Sequence, residues 1–153
     1  MGYPIFSADG HIDLPCMPAE IFLENAPAKL RDRMPRVVEW EDGQRHWVNA
    51  AGKSMGLYGG MGSAGRQYEP GVINRADRMA ATGLYEDQAQ GVMRTTDPAL
   101  RIREQDRDGV AGEVIYGILG AARRVADAEV GAEMGRIYND FAAEFRKAAP
   151  KSL

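Results

Sequence analysis

Ile5-Phe6-Ser7-Ala8-Asp9-Gly10-His11-Ile12-Asp13 carries an apolar strand, Tyr3 to Ala8, straight into a knot of polar groups. Side chains alternate along extended backbone, so Asp9, His11 and Asp13 project to one side. Oxygen and nitrogen donors at i, i+2 and i+4 just past a strand suit a divalent metal. The same residues also read as a turn, because Asp-Gly is a common turn dipeptide and a single His is often structural. The tripeptide by itself leaves both readings open.

A second strand lies far downstream. Val110 to Ile118 is nearly continuous in apolar character around Val114, Ile115 and Tyr116, as a buried parallel strand is, with Glu113 the exception. A helix precedes it. Asp97 serves as N-cap with Pro98 at the first helical position, and Gly109 ends the helix after about Asp108. Another helix follows over Asp127 to Ala148, where Val130, Met134, Ile137, Phe141 and Phe145 form one stripe, and Pro150 stops it. Strand, long excursion, helix, strand, helix is the order of a parallel α/β fold.

The excursion between the strands has its own signals. Leu14-Pro15-Cys16-Met17-Pro18 excludes regular α-helix, since two prolines remove donors. Ala19 to Asn25 reads as a short helix with Ile21, Phe22 and Asn25 inward. Ala28 to Arg33 reads as a further turn whose charges, Lys29, Arg31, Asp32 and Arg33, form a solvated face. Asp42-Gly43 between Arg36–Glu41 and Gln44–Asn49 is a hairpin, with Val38, Trp40, Trp47 and Arg45 on its faces. His46 lacks a carboxylate at ligand spacing and reads as a hairpin surface residue. Residues 50 to 73 are rich in Gly and Met and read as a long surface loop. Their glycines do not fit G-x-x-x-x-G-K-[ST]. Arg75 to Ala81 reads as a helical turn ended by Gly83.

Composition narrows the function. The 153 residues make one domain's worth of chain, 44% hydrophobic and 27% charged, with a net charge of −3. Nothing in this balance points to nucleic acid or an anionic membrane surface. No apolar run approaches a membrane span, and the N-terminus lacks a signal-peptide pattern. Cys16 is the only cysteine, so no intrachain disulfide forms, and a cytoplasmic location fits.

Four ordered motifs resemble the N-terminal portion of the amidohydrolase-related family, which includes aminocarboxymuconate-semialdehyde decarboxylase and other non-oxidative decarboxylases. They are Ser7-Ala8-Asp9-Gly10-His11, Leu30-Arg31-Asp32-Arg33-Met34-Pro35-Arg36-Val37, Arg101-Ile102-Arg103-Glu104-Gln105-Asp106-Arg107-Asp108-Gly109-Val110 leading into Glu113-Val114-Ile115-Tyr116, and Tyr138-Asn139-Asp140-Phe141. The resemblance spans nearly the whole chain and is weakest over 50–95. It implies a metal-dependent (β/α)₈ TIM barrel with its site at the C-terminal ends of the strands, and a β-hairpin and loop excursion over 36–95 that caps the barrel mouth or builds a dimer contact. It also implies a divalent metal, Zn²⁺, held at strand one by His11 with Asp9, or with Asp13 as the alternative partner.

The family's further ligands, His residues and an Asp on later strands, have no counterparts. The two histidines are His11 and His46, and a complete barrel of this kind takes about 250 residues. The expectation is therefore an incomplete barrel domain over 1–153, an N-terminal fragment of a hydrolase or non-oxidative decarboxylase, inactive alone. Its completed form would act on a small, carboxylate-bearing substrate and could be a homodimer. Tyr116 would either point into the site or pack as a core aromatic, the packed role being the expected one. The rival from another class is a non-catalytic α/β interaction module. That module would use the Trp40/Trp47 hairpin and the Gly/Met-rich loop.

Overall fold

Ile5–His11 forms β1, and it pairs in parallel with β5, Val110–Tyr116. The computed structural model describes residues 3–59, 87, 90, 92 and 94–148. Strand β1 runs three residues beyond the expected end at Ala8, because Gly10 and His11 keep pairing with Ile115 and Tyr116. The Asp9-Gly10 step is therefore strand, not turn. Its register is irregular between Ser7 and Gly10, which is where the polar residues begin.

Between the two parallel strands the chain first makes a 3₁₀ turn at Leu14–Cys16, as the two prolines require. Two short helices follow, α1 (Ile21–Asn25) and α2 (Ala28–Arg31). Ile21 and Phe22 are buried as expected, but Asn25 is exposed and Ala26 takes the inward position. Asn25 instead turns its side-chain amide back onto the Ile21 carbonyl at 2.8 Å.

Next comes an antiparallel sheet of β2 (Arg36–Glu39), β3 (Arg45–Val48) and β4 (Ser54–Leu57), in that order. The Asp42-Gly43 turn joins β2 to β3, and Gly43 takes φ 75°, the left-handed conformation that makes glycine the right residue there. Strand β4 falls within the stretch expected to be loop. It is short, and Gly56 interrupts its side-chain pattern, which hides it from a period-two reading. Val38 pairs with His46, and Val37 with Trp47. Trp40 and Trp47 thus lie on opposite faces of the hairpin. Trp47 is fully buried, edge-on to Phe22 and Tyr58, while Trp40 stays at the surface edge. Trp47 is therefore core and is not offered to a partner.

After Asp97, α3 (Pro98–Asp108) leads into β5. The Asp97 carboxylate accepts from the amides of Ala99 and Leu100, and Gly109 ends the helix at φ 71°. Strand β5 stops at Tyr116, two residues short of the expected Ile118, because a short helix α4 (Leu119–Arg123) follows at once. The longest described helix, α5 (Ala128–Lys147), is capped by Asp127. Its stripe meets the expectation: Val130, Met134, Ile137 and Phe145 are buried, and Phe141 packs against them. Each such apolar side chain contributes about 1.5–3 kcal/mol through burial. The stripe closes one core with Ile12, Met17, Phe22, Leu30, Met34 and Trp47.

The charges on and just after α2 do more than face solvent. Lys29 bonds Glu129 at 2.9 Å, and Arg33 reaches both Asp127 and Glu129, tying the excursion to the start of α5. The chain is thus a mixed α/β fold with one parallel and one antiparallel sheet, and the described strands close no barrel. The expected features at 60–73, at Arg75 to Ala81, at Gly83 and at Pro150 lie outside the described residues.

Candidate metal centre

Parallel strands deliver their C-terminal ends to the same edge of a sheet, where α/β proteins gather their ligands. Here that edge holds His11 on β1 beside Tyr116 on β5, with ring centroids 5.5 Å apart. Tyr116 is half exposed, so it belongs to this rim, not to the packed core that was its expected place.

The His11 imidazole stands between two carboxylates. Its Nε2 lies 3.3 Å from Asp9 Oδ1, and its Nδ1 lies 3.5 Å from Asp13 Oδ1. Asp9 is almost fully exposed, at 92% of its side chain, whereas Asp13 is two-thirds buried at 32%. A tetrahedral ion with ligand bonds near 2.1 Å separates two donors by about 3.4 Å. Asp9 and His11 fit two corners of such a site. Asp13 fits the other ring nitrogen, whose lone pair points away from the first. One ion would therefore take either Asp9 or Asp13 with His11, and the three do not converge on one point. In agreement, no group of three or more His, Cys, Asp and Glu side chains is arranged around a single metal position among the described residues.

The backbone carrying these donors is held from below. Arg101 of α3 forms a two-pronged ion pair with Glu113 of β5, and its Nη1 also donates to the His11 carbonyl at 3.2 Å. Gln105 donates its side-chain amide to Glu113 at 2.5 Å. Burial by itself would raise the Glu113 carboxyl. The Arg101 guanidinium outweighs this and, with Gln105, holds it below the usual glutamate range. Gly10 lies directly over this pair. A Cβ there would run into the Glu113 carboxylate and come within 2.9 Å of the Val114 carbonyl. The glycine between the two donors thus lets β1 sit down on the Arg101–Glu113 pair. Glu113, the break in an otherwise apolar strand, was the sequence signal for this support, but its partner 12 residues earlier has no pattern to mark it.

Two clefts flank the rim. One of about 360 Å³ is bordered by Asp9, His11, Arg94, Arg101 and Glu113. The other, of about 260 Å³, lies between Asp13, the β4 residues Met55 and Leu57, Gly117 and Arg124. The arginines of the first cleft are occupied: Arg94 by Asp87 and Glu104, Arg101 by Glu113. The Arg124 side chain in the second has no ion-pair or hydrogen-bond partner among the described residues.

His46, expected as a hairpin surface residue with no carboxylate at ligand spacing, is in fact nearly buried and bonded at both nitrogens, to Asp42 and to Ser54. Asp42 is four residues back across the Asp-Gly turn, a spacing that reads as remote in a strand but is close in a hairpin.

No family model matches the chain, and no curated protein is significantly similar to it. No helix among the described residues is long and apolar enough to cross a membrane.

Proposed function

We propose that the chain is the N-terminal part of an amidohydrolase-related (β/α)₈ enzyme, a metal-dependent hydrolase or non-oxidative decarboxylase, with Asp9 and His11 as its first two ligands. One observation carries the reading: an Asp-x-His pair at zinc donor spacing on the C-terminal end of a parallel strand. The bare sheet supports it. Phe6 of β1 and Val114 of β5 are 66% and 54% exposed, as strand residues are when further strands would complete the layer.

Zn²⁺, when bound, supplies Lewis-acid polarisation of a substrate oxygen or a water. The chain's own residues divide the remaining work. Asp9 and His11 hold the ion; Arg101, through the His11 carbonyl, and Gly10, through its lack of a side chain, fix their backbone. Arg124 is placed to take a substrate carboxylate in the cleft beside Asp13, and Tyr116 walls the rim. Neither hydrolysis nor decarboxylation is favoured by these residues alone, because on this reading the proton donor and the remaining ligands would come from other strands.

Equilibrium dialysis against Zn²⁺, followed by metal analysis, tests the reading in the parent and in an Asp9→Ala/His11→Ala double variant. The reading expects zinc retention by the parent, weaker than that of a complete four-ligand site, and its loss in the variant. Equal retention by both proteins, or none by either, overturns it.

A further inference from the structure

The three-stranded sheet carries a second constellation, separate from the β1 rim. His46 on β3 lies with Nε2 3.0 Å from Asp42 Oδ2 and Nδ1 2.8 Å from Ser54 Oγ. Asp42 is ionised, its carboxyl held down first by the Gln44 backbone amide at 2.9 Å and then by His46. An ionised carboxylate only accepts, so the imidazole proton sits on Nε2. Nδ1 then presents its lone pair, and the Ser54 hydroxyl donates to it. A hydroxyl bonded to a neutral imidazole that is itself oriented by a carboxylate is the arrangement that activates a serine. The two ring nitrogens exchange their more common roles, which leaves the proton bookkeeping unchanged.

The surroundings fit this use. The imidazole is 12% exposed and stacked on Trp40, with centroids 5.5 Å apart and planes 22° from parallel, so its orientation is fixed. The Gly56 amide donates to Ser54 Oγ at 3.2 Å and steadies the charge that develops there. Gly56 itself has open space where a Cβ would stand, and Ser54 is partly exposed.

We propose that Ser54 is an activated nucleophile that accepts acyl groups from small activated esters, with His46 as general base and Asp42 as its orienting partner. The Ser54 Oγ–carbon bond forms as the hydroxyl proton passes to His46 Nδ1. The ester C–O bond then breaks, and the leaving alcohol departs with that proton. Water, deprotonated by His46 in the same way, releases the carboxylic acid and restores Ser54. No oxidant or cofactor enters the balance.

The test uses 4-nitrophenyl acetate on the full chain, with nitrophenolate release followed by absorbance and the acetylated residue located by peptide mass mapping. The expected result is an acetyl group on Ser54 and its absence in Ser54→Ala. His46→Gln should slow acetylation of Ser54 by at least about 100-fold, and Asp42→Asn by about tenfold or more, in line with the worth of a general base and its orientation. Asp42 is at the surface, so Asp42→Asn keeps the fold and keeps the test decisive if His46→Gln melts the hairpin. Acetylation confined to lysines, or a Ser54 rate unchanged in Asp42→Asn, overturns the proposal.

Discussion

Glu113 shows how one residue ties stability to the rim. Its folded carboxyl is held below its ordinary value of about 4.3, chiefly by Arg101 against the opposing pull of burial. A depressed folded pKa means the unfolded chain binds the proton more readily. The pair's contribution is therefore fully present above about pH 5 and is lost as pH falls through the lower, folded value. Urea midpoints measured from pH 7 downward should hold and then decline below about pH 4.5, with a shallower decline in Glu113→Gln. At pH 7 that variant should lose on the order of 3 kcal/mol, since it leaves the Arg101 charge short of a partner in a mostly buried place. Asp9, His11 and Asp13 were legible as candidates from spacing alone. Their division between two ring nitrogens was not, because it depends on the imidazole's rotation and on where β1 ends.

At the scale of elements, what the sequence announces is what local chemistry decides. The caps Asp97 and Asp127, the glycine at 109 and the Asp42-Gly43 turn all sit where their backbone demands put them. The α5 stripe is legible for the same reason: twenty residues give the 3.6 period room to repeat. The short β4 and α4 lack that room, and neither carries a cap or turn signal of its own. The Asp42–His46–Ser54 cluster was hidden with β4, since Ser54 meets His46 only once that strand pairs. Asp127 does double duty, accepting from the amides of Glu129 and Val130 while bonding Arg33. Asp127→Ala should therefore lower the urea midpoint, and by more than Asp97→Ala does. The latter residue's described side-chain bonds are to cap amides alone.

At the scale of the molecule, the described residues cover the β1–β5 sheet unevenly. One side of the β1–β5 pair is covered by the core that α5 closes, and the other leaves Phe6, Val114 and Tyr116 at the surface. Parallel sheets are ordinarily covered on both faces, so the account expects this face to be a site of self-association. Light scattering should find self-association that a Phe6→Lys/Val114→Lys variant suppresses, with its urea midpoint little changed because neither side chain is buried. The α/β order of elements was legible because strands and helices alternate in the chain. Sheet closure is a property of strands that must meet in space, and two parallel strands specify no barrel by themselves.

The central claim is that His11 shares a cation with Asp9 at the C-terminal end of β1. Nitrogen-15 NMR of the imidazole side chains during Zn²⁺ titration tests it most directly, because each ring nitrogen reports separately. The account predicts a zinc-dependent shift at His11 Nε2, the nitrogen facing Asp9, with the His46 resonances unmoved. A shift at His46 alone, a shift at His11 Nδ1 toward Asp13, or no response at either histidine would contradict it.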